Sequence, residues 1–515
     1  MRTVYCAYMD FDNNKTEIFV NSEIIKFDGF DILKNINCSQ ESVVFVNDLR
    51  VFAQMFPGGT KYGENYKKLS QNRGDVLEYY MGKTKFRSFS ALIAMESIDT
   101  LKELFPEYPI CVAMYMYLEK FGEPEKVRYS LANQTKKIFY APIQDELWEE
   151  TKKNEHYYYD LETYDHMVAG NKAGLLTRHE FKTLLNMVSF DKKSAFPSIM
   201  INCDMFPIGK YVKTKPKASL IKVNICEYLK KKKWFKIIIK AYSPELKLWY
   251  DTDKKLIAMD ISNVMSAYKM GLINELFKVI ENNETWFYYN QKQGYLSKIF
   301  RDRLVEAYAK KAVLKKGTFE RFLEKTMLDM LYGKGLQDHK FESIKEVQKH
   351  FRGRGYNYMD PAWSNLARGM VEFEIIKAIY DNELTFDDIY ADTDGLKAPD
   401  TPKTREYFEN ENKRIIDANR RSGYDIDIGI WDLEEEIDEL YVIKPKIYCF
   451  NRKDKSFDCV HAGVRETDIK KIFEKIKGKE MIYIKKKGFP FIQHFYKLKD
   501  GEMKEYMNIT FLKGE

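Results

Sequence analysis

The sequence has few cysteines, no long apolar run and no internal repeat. Its seven cysteines, at positions 6, 38, 111, 203, 226, 449 and 459, form no Cys-x-x-Cys pair, so their spacing indicates neither a zinc site nor a disulfide framework. The most apolar run, Ile110–Leu118, is too short to span a bilayer. The N-terminal segment lacks the apolar core of a signal peptide. We therefore expect a soluble intracellular protein.

The composition is that of a globular protein. The chain has 515 residues, of which 44% are hydrophobic and 31% charged, enough for two to four domains. Aromatic residues make up 15%, with 36 Tyr and 34 Phe, and the net charge is +7. This mildly basic balance is compatible with a nucleic-acid partner. Lysine clusters at 230–233 and 485–487 slightly favour a nucleic-acid partner, although a solvated surface is the ordinary explanation of such runs.

Hydrophobic periodicity predicts the secondary structure. Residues 1 to about 150 combine strand-like and helical patterns, which is typical of an α/β domain. A polar, acidic bridge follows at 145–165. Strands are predicted at 3–9, 16–20, 42–46, 187–190, 234–239, 256–259 and 386–390. Helices are predicted at 98–105, 112–121, 301–333 with an interruption near Gly317, 361–381 and 467–477.

The segment Tyr-Ala-Asp-Thr-Asp-Gly, residues 390–395, carries two carboxylates one residue apart. Asp392 and Asp394 lie at a predicted tight turn between short extended segments. Carboxylate oxygens in such a compact arrangement suit a hard divalent cation. The alternative is an ordinary acidic turn, because turns favour Asp and Gly for local backbone reasons.

A second carboxylate stands at a predicted strand end. Asp191 begins the segment Asp-Lys-Lys-Ser-Ala-Phe-Pro-Ser-Ile, 191–199, in which Pro197 suits the first turn of a helix. A carboxylate followed by free backbone amides can hold a metal and a triphosphate together. Asp191 acting only as a turn or capping residue is the alternative.

Two further segments carry cations and aromatic rings. In Lys-Thr-Met-Leu-Asp-Met-Leu-Tyr-Gly, 325–333, Lys325, Asp329 and Tyr332 share one face of a predicted helix. A plain amphipathic helix with an i,i+4 ion pair is the alternative. In a predicted strand, Lys446 and Tyr448 lie on the same side, a weak signal by itself.

In this order the segments resemble the motifs of the family B DNA polymerases, most closely those of the protein-primed branch from phages and linear plasmids. Residues 191–199 resemble motif A, 325–333 motif B, 390–395 motif C, and 446–448 the Lys-x-Tyr motif. The resemblance extends to Phe-Pro-Ile-Gly-Lys-Tyr at 206–211, to Ala367-Arg368 and to His-Ala-Gly-Val at 461–464. It covers roughly residues 165–515.

The resemblance implies an α/β fold with an α+β palm, fingers and thumb, preceded by an RNase H-like exonuclease-type domain. The implied domains are an exonuclease-like domain at 1–150, a linker at 151–180, palm with a first insertion at 181–300, fingers at 301–335, a second insertion at 336–360, palm at 361–450 and thumb at 451–515.

The resemblance also implies roles for individual residues. Asp191, Asp392 and Asp394 would be catalytic and would hold two Mg²⁺ ions, with Mn²⁺ as an alternative, roughly 3.5–4 Å apart. The nucleotide would be bound by Phe196, Lys325, Tyr332 and Lys310, and the DNA by Lys446, Tyr448 and Arg368. Phe196 stands where the family has a sugar-discriminating Tyr, and keeps the bulk that excludes a 2′-hydroxyl.

Several positions depart from the family pattern. Asp329 replaces the Asn of motif B and adds a negative charge near the expected triphosphate. Gly395 replaces the Ser of motif C. The family's Tyr-x-Gly-Gly linker has only a rough counterpart at 170–174.

The front domain lacks most of the family's exonuclease acids. Asp10 and Asp12 resemble part of the first motif, but the acid near Asn47 is displaced, and Val112 stands where the third motif has Asp. A two-metal hydrolytic site without these acids cannot hold both ions. We therefore expect an exonuclease-like fold without activity.

The sequence thus predicts a template-directed DNA polymerase that adds dNTPs to a primer-template, in the replication of a phage or mobile element. The resemblance to the protein-primed branch implies a terminal protein as a further partner. It also implies a location in the cytoplasm of the host cell, without membrane association. A reverse transcriptase or RNA polymerase, and a non-catalytic DNA-binding scaffold of polymerase descent, are the alternatives.

Overall fold

The structure is a computed structural model and divides into two compact units, Met1–Ile138 with Gly463–Glu515, and Phe139–Ala462. It describes residues 2–10, 13–29, 31–47, 49, 69–70, 76–89, 91–93, 99–128, 131–151, 160–169, 174–177, 179, 182–215, 234–239, 257–282, 284–315, 318–335, 343–346, 360–461, 482–485, 492–499 and 502–509.

The first unit is built on a mixed sheet. Its strands are β1 (Thr3–Asp10), β2 (Lys15–Val20), β3 (Glu23–Asp28), β4 (Ser42–Val46), β5 (Leu69–Ser70), β6 (Val76–Met81) and β7 (Thr84–Ser88), in the order β3-β2-β1-β4-β7-β6-β5. The first three strands are antiparallel, whereas β4 runs parallel to both β1 and β7. Every residue of β4 is buried, as expected of a central strand covered on both faces.

The second unit contains the sheet that carries the sequence motifs. This sheet has the order β20-β19-β18-β9-β17-β16-β8 and is antiparallel throughout. Its strands are β8 (Leu175–Leu176), β9 (Lys182–Lys192), β16 (Tyr390–Thr393), β17 (Gly395–Pro399), β18 (Trp431–Lys444), β19 (Ile447–Arg452) and β20 (Phe457–His461).

The remaining strands form three smaller sheets. One, in the second unit, has the order β11-β14-β12-β13, another pairs β10 with β15, and the third, in the first unit, has the order β21-β22-β23. Their strands are β10 (Phe206–Pro207), β11 (Tyr211–Thr214), β12 (Trp234–Ile239), β13 (Ile257–Asp260), β14 (Thr285–Asn290), β15 (Gln293–Gly294), β21 (Ile482–Lys485), β22 (Ile492–Lys499) and β23 (Glu502–Ile509).

The helices follow local sequence signals. The longest begins after Asp360, whose carboxylate accepts a hydrogen bond from the Ala362 amide, with Pro361 in the first turn, a combination that favours a helix start. The helices are α1 (Asp99–Leu104), α2 (Ile110–Glu119), α3 (Leu131–Tyr140), α4 (Gln144–Thr151), α5 (Leu161–Ala169), α6 (Ala195–Asn202), α7 (Ile261–Lys269), α8 (Ile273–Asn282), α9 (Lys298–Val313), α10 (Phe319–Gly335), α11 (Pro361–Asp381) and α12 (Pro402–Arg421), with short 3₁₀ helices at Ile32–Asn35 and Pro124–Lys126.

Most of the predicted elements are confirmed. The strands at 42–46 and 234–239 and the helix at 361–381 have the predicted bounds. The long helix predicted at 301–333 is two helices, α9 and α10, which separate where Gly317 interrupts the pattern. The helix predicted at 467–477, the lysine cluster at 230–233 and most of the cluster at 485–487 lie outside the described residues.

One predicted strand is wrong, and the span expected to be a linker contains ordered elements. Residues 386–388 form a turn, because the Asp388 carboxylate accepts hydrogen bonds from the amide and hydroxyl of Thr385; the strand starts at Tyr390. Within residues 151–180 the structure describes helix α5 and strand β8, and β8 pairs with β16.

Candidate active site

The three aspartates predicted to bind metal come together on neighbouring strands. Asp191 is the penultimate residue of β9, Asp392 lies in β16, and Asp394 occupies the turn between β16 and β17. Gly395 pairs with Asp191 on one side and with Asp392 on the other. The register of the sheet therefore fixes the positions of these carboxylates.

The turn that carries Asp394 is tied to the strand that carries Asp191. The Asp394 amide donates to the Asp392 carbonyl at 2.7 Å, and the Asp394 carbonyl accepts from the Lys192 amide at 3.2 Å. Thr393 has a φ of +65°, a conformation that is uncommon for a β-branched residue. The backbone thus holds Asp394 beside Asp191 at a local conformational cost.

Gly395 makes room for the Asp191 carboxylate. A Cβ atom placed on residue 395 would lie 3.1 Å from Asp191 Oδ1, closer than ordinary van der Waals contact. Glycine here lets the carboxylate stand directly against the neighbouring strand. Glycine at position 395 therefore affects the space around the Asp191 carboxylate.

Burial and neighbouring carboxylates oppose the ionisation of both Asp191 and Asp394. Burial raises the pKa of Asp191 to about 7, with further contributions from Asp394 and Glu434. Burial also raises the pKa of Asp394 to about 6, and the charges of Asp329 and Asp392 add to this effect. Neighbouring negative charges of this kind are relieved by a bound cation.

The donor set consists of oxygen atoms. Asp392 Oδ1 accepts from Lys446 Nζ at 2.9 Å and from Thr393 Oγ1 at 3.0 Å, so its carboxylate is already partly neutralised. Across the described part of the chain, no three His, Cys, Asp or Glu side chains stand close enough together to enclose an ion by themselves. A carboxylate pair fits Mg²⁺ or Mn²⁺, which in phosphoryl-transfer sites keeps waters and substrate phosphates as its other ligands.

Lys446 and Tyr448 contact the hairpin of β16 and β17. The predicted strand position of Lys446 is wrong: it lies in the turn before β19 with a φ of +65°, and its amide donates to the Tyr390 hydroxyl at 2.8 Å. Tyr448 is in β19 and is only 6% exposed, packing edge-to-face on Tyr390 with ring centroids 5.0 Å apart. Both residues therefore brace the hairpin that holds Asp392.

Two aromatic rings from different motifs stack at the site. Phe196, in helix α6, and Tyr332, in helix α10, have ring centroids 3.8 Å apart at an interplanar angle of 19°. Phe196 is 7% exposed. The two residues expected to contact the nucleotide's sugar and base are thus brought together.

Two lysines act on the carboxylates from the helical side. Burial raises the pKa of Asp329, and the positive charges of Lys325 and Lys311 offset part of this rise. Lys325 also counteracts the raised pKa of Asp191. Lys311 Nζ donates to Ser194 Oγ at 2.6 Å, directly before helix α6. Both cations therefore lie near the carboxylates of Asp191 and Asp329.

Lys310, predicted to bind the nucleotide, lies in helix α9. Its ammonium group pairs with Glu306 at 2.7 Å on the same helix and is about half exposed. Its neighbour Lys311 reaches the site instead, because adjacent residues of a helix point about 100° apart. Helical spacing alone did not reveal which of the two lysines faces the carboxylates.

Arg368, predicted to bind DNA, lies in helix α11. Its side chain is 2% exposed inside helix α11, and its charge lowers the pKa of the buried Asp260 carboxyl, against the larger effect of burial. The charge of Arg368 therefore acts among buried polar groups.

The sequence motifs missed Lys397 and Glu434, two charged residues that act on the Asp191 carboxyl. Lys397, in β17, donates to Ser189 Oγ at 3.1 Å. Burial lowers its pKa, and the charges of Glu434 and Asp191 act in the opposite direction. A signal was available, since Lys397 follows Gly395 by two residues and so shares its face of the strand.

In the first unit, Asp10 and Asn47 have local structural partners. Asp10 accepts hydrogen bonds from the amide and the side chain of Asn13, at 3.2 and 2.8 Å. Asn47 bonds the backbone of Met9 in both directions. Val112 lies in helix α2, whereas Phe11, Asp12 and Asp48 lie outside the described residues.

Comparison with solved structures identifies the fold. The chain matches Phi29 DNA polymerase complexed with primer-template DNA, a post-translocation binary complex, at a TM-score of 0.62 and 13% identity, covering 99% of this chain and 100% of that one. It matches the ternary complex of that polymerase with primer-template DNA and incoming nucleotide substrates at a TM-score of 0.60 and 13% identity, covering 100% of both chains. It matches the orthorhombic crystal form of that polymerase at a TM-score of 0.61 and 14% identity, covering 92% of this chain and 95% of that one.

These likenesses show a mixed α/β fold of the DNA polymerase kind over nearly the whole chain. The matching structures include complexes of that polymerase with DNA. No protein-family model matches the chain, and no curated protein matches it in sequence. Among the helices described, none is both long and apolar enough to cross a membrane.

Proposed function

We propose that this protein is a template-directed DNA polymerase that joins a dNTP to a primer 3′ hydroxyl. The observation that carries the proposal is the placement of Asp191 beside the turn of Asp394: Gly395 pairs with both Asp191 and Asp392, and the Lys192 amide donates to the Asp394 carbonyl. The polymerase-like fold supports the same function but does not by itself establish the activity.

Asp191 and Asp394 would hold two divalent ions, with Asp392 as the third essential carboxylate. When bound, such ions activate the attacking hydroxyl and neutralise the charge of the leaving pyrophosphate. The raised pKa values of Asp191 and Asp394 support this role, because a cation favours the ionised form of both groups.

The remaining residues would position the substrates. Lys311 and Lys325 would bind the triphosphate as cations. Tyr332 would lie against the nascent base pair, and Phe196 would exclude a nucleotide that carries a 2′-hydroxyl. Lys446 and Tyr448 would act by holding the hairpin of Asp392 near the primer end.

The finer assignments belong to the same proposal. They are a right-hand arrangement of palm, fingers and thumb, an RNase H-like front domain without exonuclease activity, and a role in phage or mobile-element replication with a terminal protein as primer. The order β3-β2-β1-β4-β7 with parallel β1, β4 and β7 supports the RNase H-like assignment.

Primer extension tests the proposal. The wild type should extend a pre-annealed DNA primer with dNTPs and Mg²⁺, and Asp394→Asn should lose at least about a thousandfold in rate, as expected for a ligand of the reacting centre. A run without primer tests protein priming, and rNTPs or an RNA template distinguish the alternative polymerases. Unchanged synthesis by Asp394→Asn would refute the site, and normal DNA binding without extension would favour the non-catalytic scaffold.

A further inference from the structure

Two cysteines that are separated in sequence face each other in the sheet of the second unit. Cys449 lies in β19 and Cys459 in β20, and the ladder pairs them directly. Residues directly opposite in an antiparallel pair have Cα atoms about 4.5–5.5 Å apart, which falls within the range that a disulfide requires. Their sulfur atoms are 2.7 Å apart and are not joined by a disulfide.

The pair is set apart from the candidate active site by the alternation of the strand. Tyr448 and Phe450, on either side of Cys449, belong to the hydrophobic cluster that includes Tyr390. The Cys449 thiol therefore lies on the opposite face of the sheet. A covalent bond there would not need to displace any residue that faces the carboxylates.

The surroundings favour a thiol pair over a metal site. Zinc needs about four ligands, commonly Cys or His, and no cluster of three or more His, Cys, Asp or Glu suited to an ion occurs among the residues that the structure describes. The other described cysteines, at 6, 38, 111 and 203, are free thiols. The chemistry available to two opposed thiols is the formation of a disulfide.

From this geometry we propose that Cys449 and Cys459 are a modification site, at which a reversible cross-strand disulfide forms on exposure to a small-molecule disulfide oxidant. Cys459 reacts first, because it lies on the edge strand of the sheet and is 7% exposed, whereas Cys449 is fully buried. Its thiolate attacks the oxidant and forms a mixed disulfide. The Cys449 thiol then displaces the remaining half of the oxidant.

In sum, the two cysteines lose two protons and two electrons, and the oxidant's disulfide becomes two thiols. The new bond closes a short loop through the turn between β19 and β20 and fixes the edge strand to its neighbour. Because such a cross-link restricts the unfolded chain, the oxidised protein should be more resistant to unfolding. Reduction by an excess of dithiol should restore the original protein.

Peptide mapping of the full-length protein gives a direct test. The native protein is incubated with oxidised dithiothreitol, free thiols are blocked with N-ethylmaleimide, and the chain is digested with trypsin without reduction. Trypsin places Cys449 in the peptide 447–452 and Cys459 in the peptide 456–465. We expect these peptides linked, with a mass two hydrogens below their sum, and separate after reduction.

Control variants and a melting experiment complete the design. Cys203→Ser should retain the linked peptides, and Cys459→Ser should lose them. Oxidation should raise the melting temperature of the wild type and of Cys203→Ser by about 5 °C, and leave that of Cys459→Ser unchanged. Recovery of both peptides as separate maleimide adducts after oxidation, or linkage of Cys449 to a different cysteine, would overturn the proposal. So would a linkage that forms no faster in the native protein than in urea.

Discussion

At the scale of single residues, the candidate site is defined by the balance of charge around two aspartates. Asp191 and Asp394 are pushed towards their protonated forms by burial and by neighbouring carboxylates. Lys446, Lys397 and Lys325 offset part of this unfavourable charge. The site therefore has a deficit of positive charge that a divalent ion would fill.

The raised pKa values lead to a pH-dependent effect of metal on stability. A carboxyl group whose pKa is about 3.8 when unfolded and 6 to 7 when folded destabilises the metal-free fold as pH rises from about 4 to about 7. Mg²⁺ should therefore raise the melting temperature more at pH 8 than at pH 5, as measured by differential scanning fluorimetry. Asp191→Asn should reduce this difference, whereas Asp417→Asn, on an exposed part of α12, should not. An equal Mg²⁺ effect at both pH values would contradict the assignment.

Asp329 provides a second test at this scale. It places a negative charge near Asp394, Lys325 and Lys311, where the incoming nucleotide would bring more. Removing this repulsion, on the order of 1 kcal/mol, should lower the KM for dNTP of Asp329→Asn about fivefold and leave kcat within about twofold. Single-nucleotide incorporation measures both. Glu320→Gln, near the start of the same helix, is the matched control. An unchanged KM for Asp329→Asn would mean that the Asp329 carboxylate does not face the nucleotide.

At the scale of elements, helix ends show how local chemistry sets the framework of the site. Helix α12 begins at Pro402 and is capped by Thr401, whose hydroxyl accepts a hydrogen bond from the Thr404 amide at 3.1 Å. This helix packs on the sheet through Phe408, whose ring stacks on Phe190 with centroids 4.0 Å apart. Its stability thus supports the strand that ends in Asp191.

Loss of this cap should destabilise the protein without altering its chemistry. Thr401→Ala should reduce the free energy of unfolding by about 1 kcal/mol, measured by urea denaturation, and primer extension at 25 °C should be unchanged. Thr401→Ser keeps the hydroxyl and should behave like the wild type. A loss of activity in Thr401→Ala at full folding would show that the helix end contributes directly to the site.

Elements with strong local patterns could be predicted from the sequence, but contacts between distant segments could not. The helix of 361–381 has a capping Asp, a Pro and sustained apolar residues, so its bounds could be read directly. The strand predicted at 386–390 failed because a side-chain hydrogen bond of Asp388 favours a turn. The burial of Arg368 depends on how helix α11 packs. The ion pair of Lys446 with Asp392 and the facing of Cys449 and Cys459 depend on strand register, for which one sequence gives no signal.

At the scale of the whole molecule, the first unit contains the segment for which the sequence predicts an exonuclease-like fold without activity. Asp10 is engaged by Asn13 in a turn, and Val112 contributes no carboxylate. We therefore predict no Mg²⁺- or Mn²⁺-dependent shortening of a 5′-labelled single-stranded DNA, followed on a denaturing gel beside an active exonuclease. Degradation of the 3′ end that disappears in Asp10→Ala would show that the unit retains its activity.

The register that holds Asp191, Gly395 and Asp392 in one row also bears on how far such a chain can diverge in evolution. A ladder transmits position through the backbone, so most side chains of these strands are free to change while the carboxylates stay in place. Insertions in the connecting loops are equally tolerable, whereas a single-residue insertion within β9 ahead of Asp191 would turn its side chain to the opposite face. Such a constraint is compatible with the likeness in fold, at 13% identity, between this chain and a polymerase that it matches along nearly its full length.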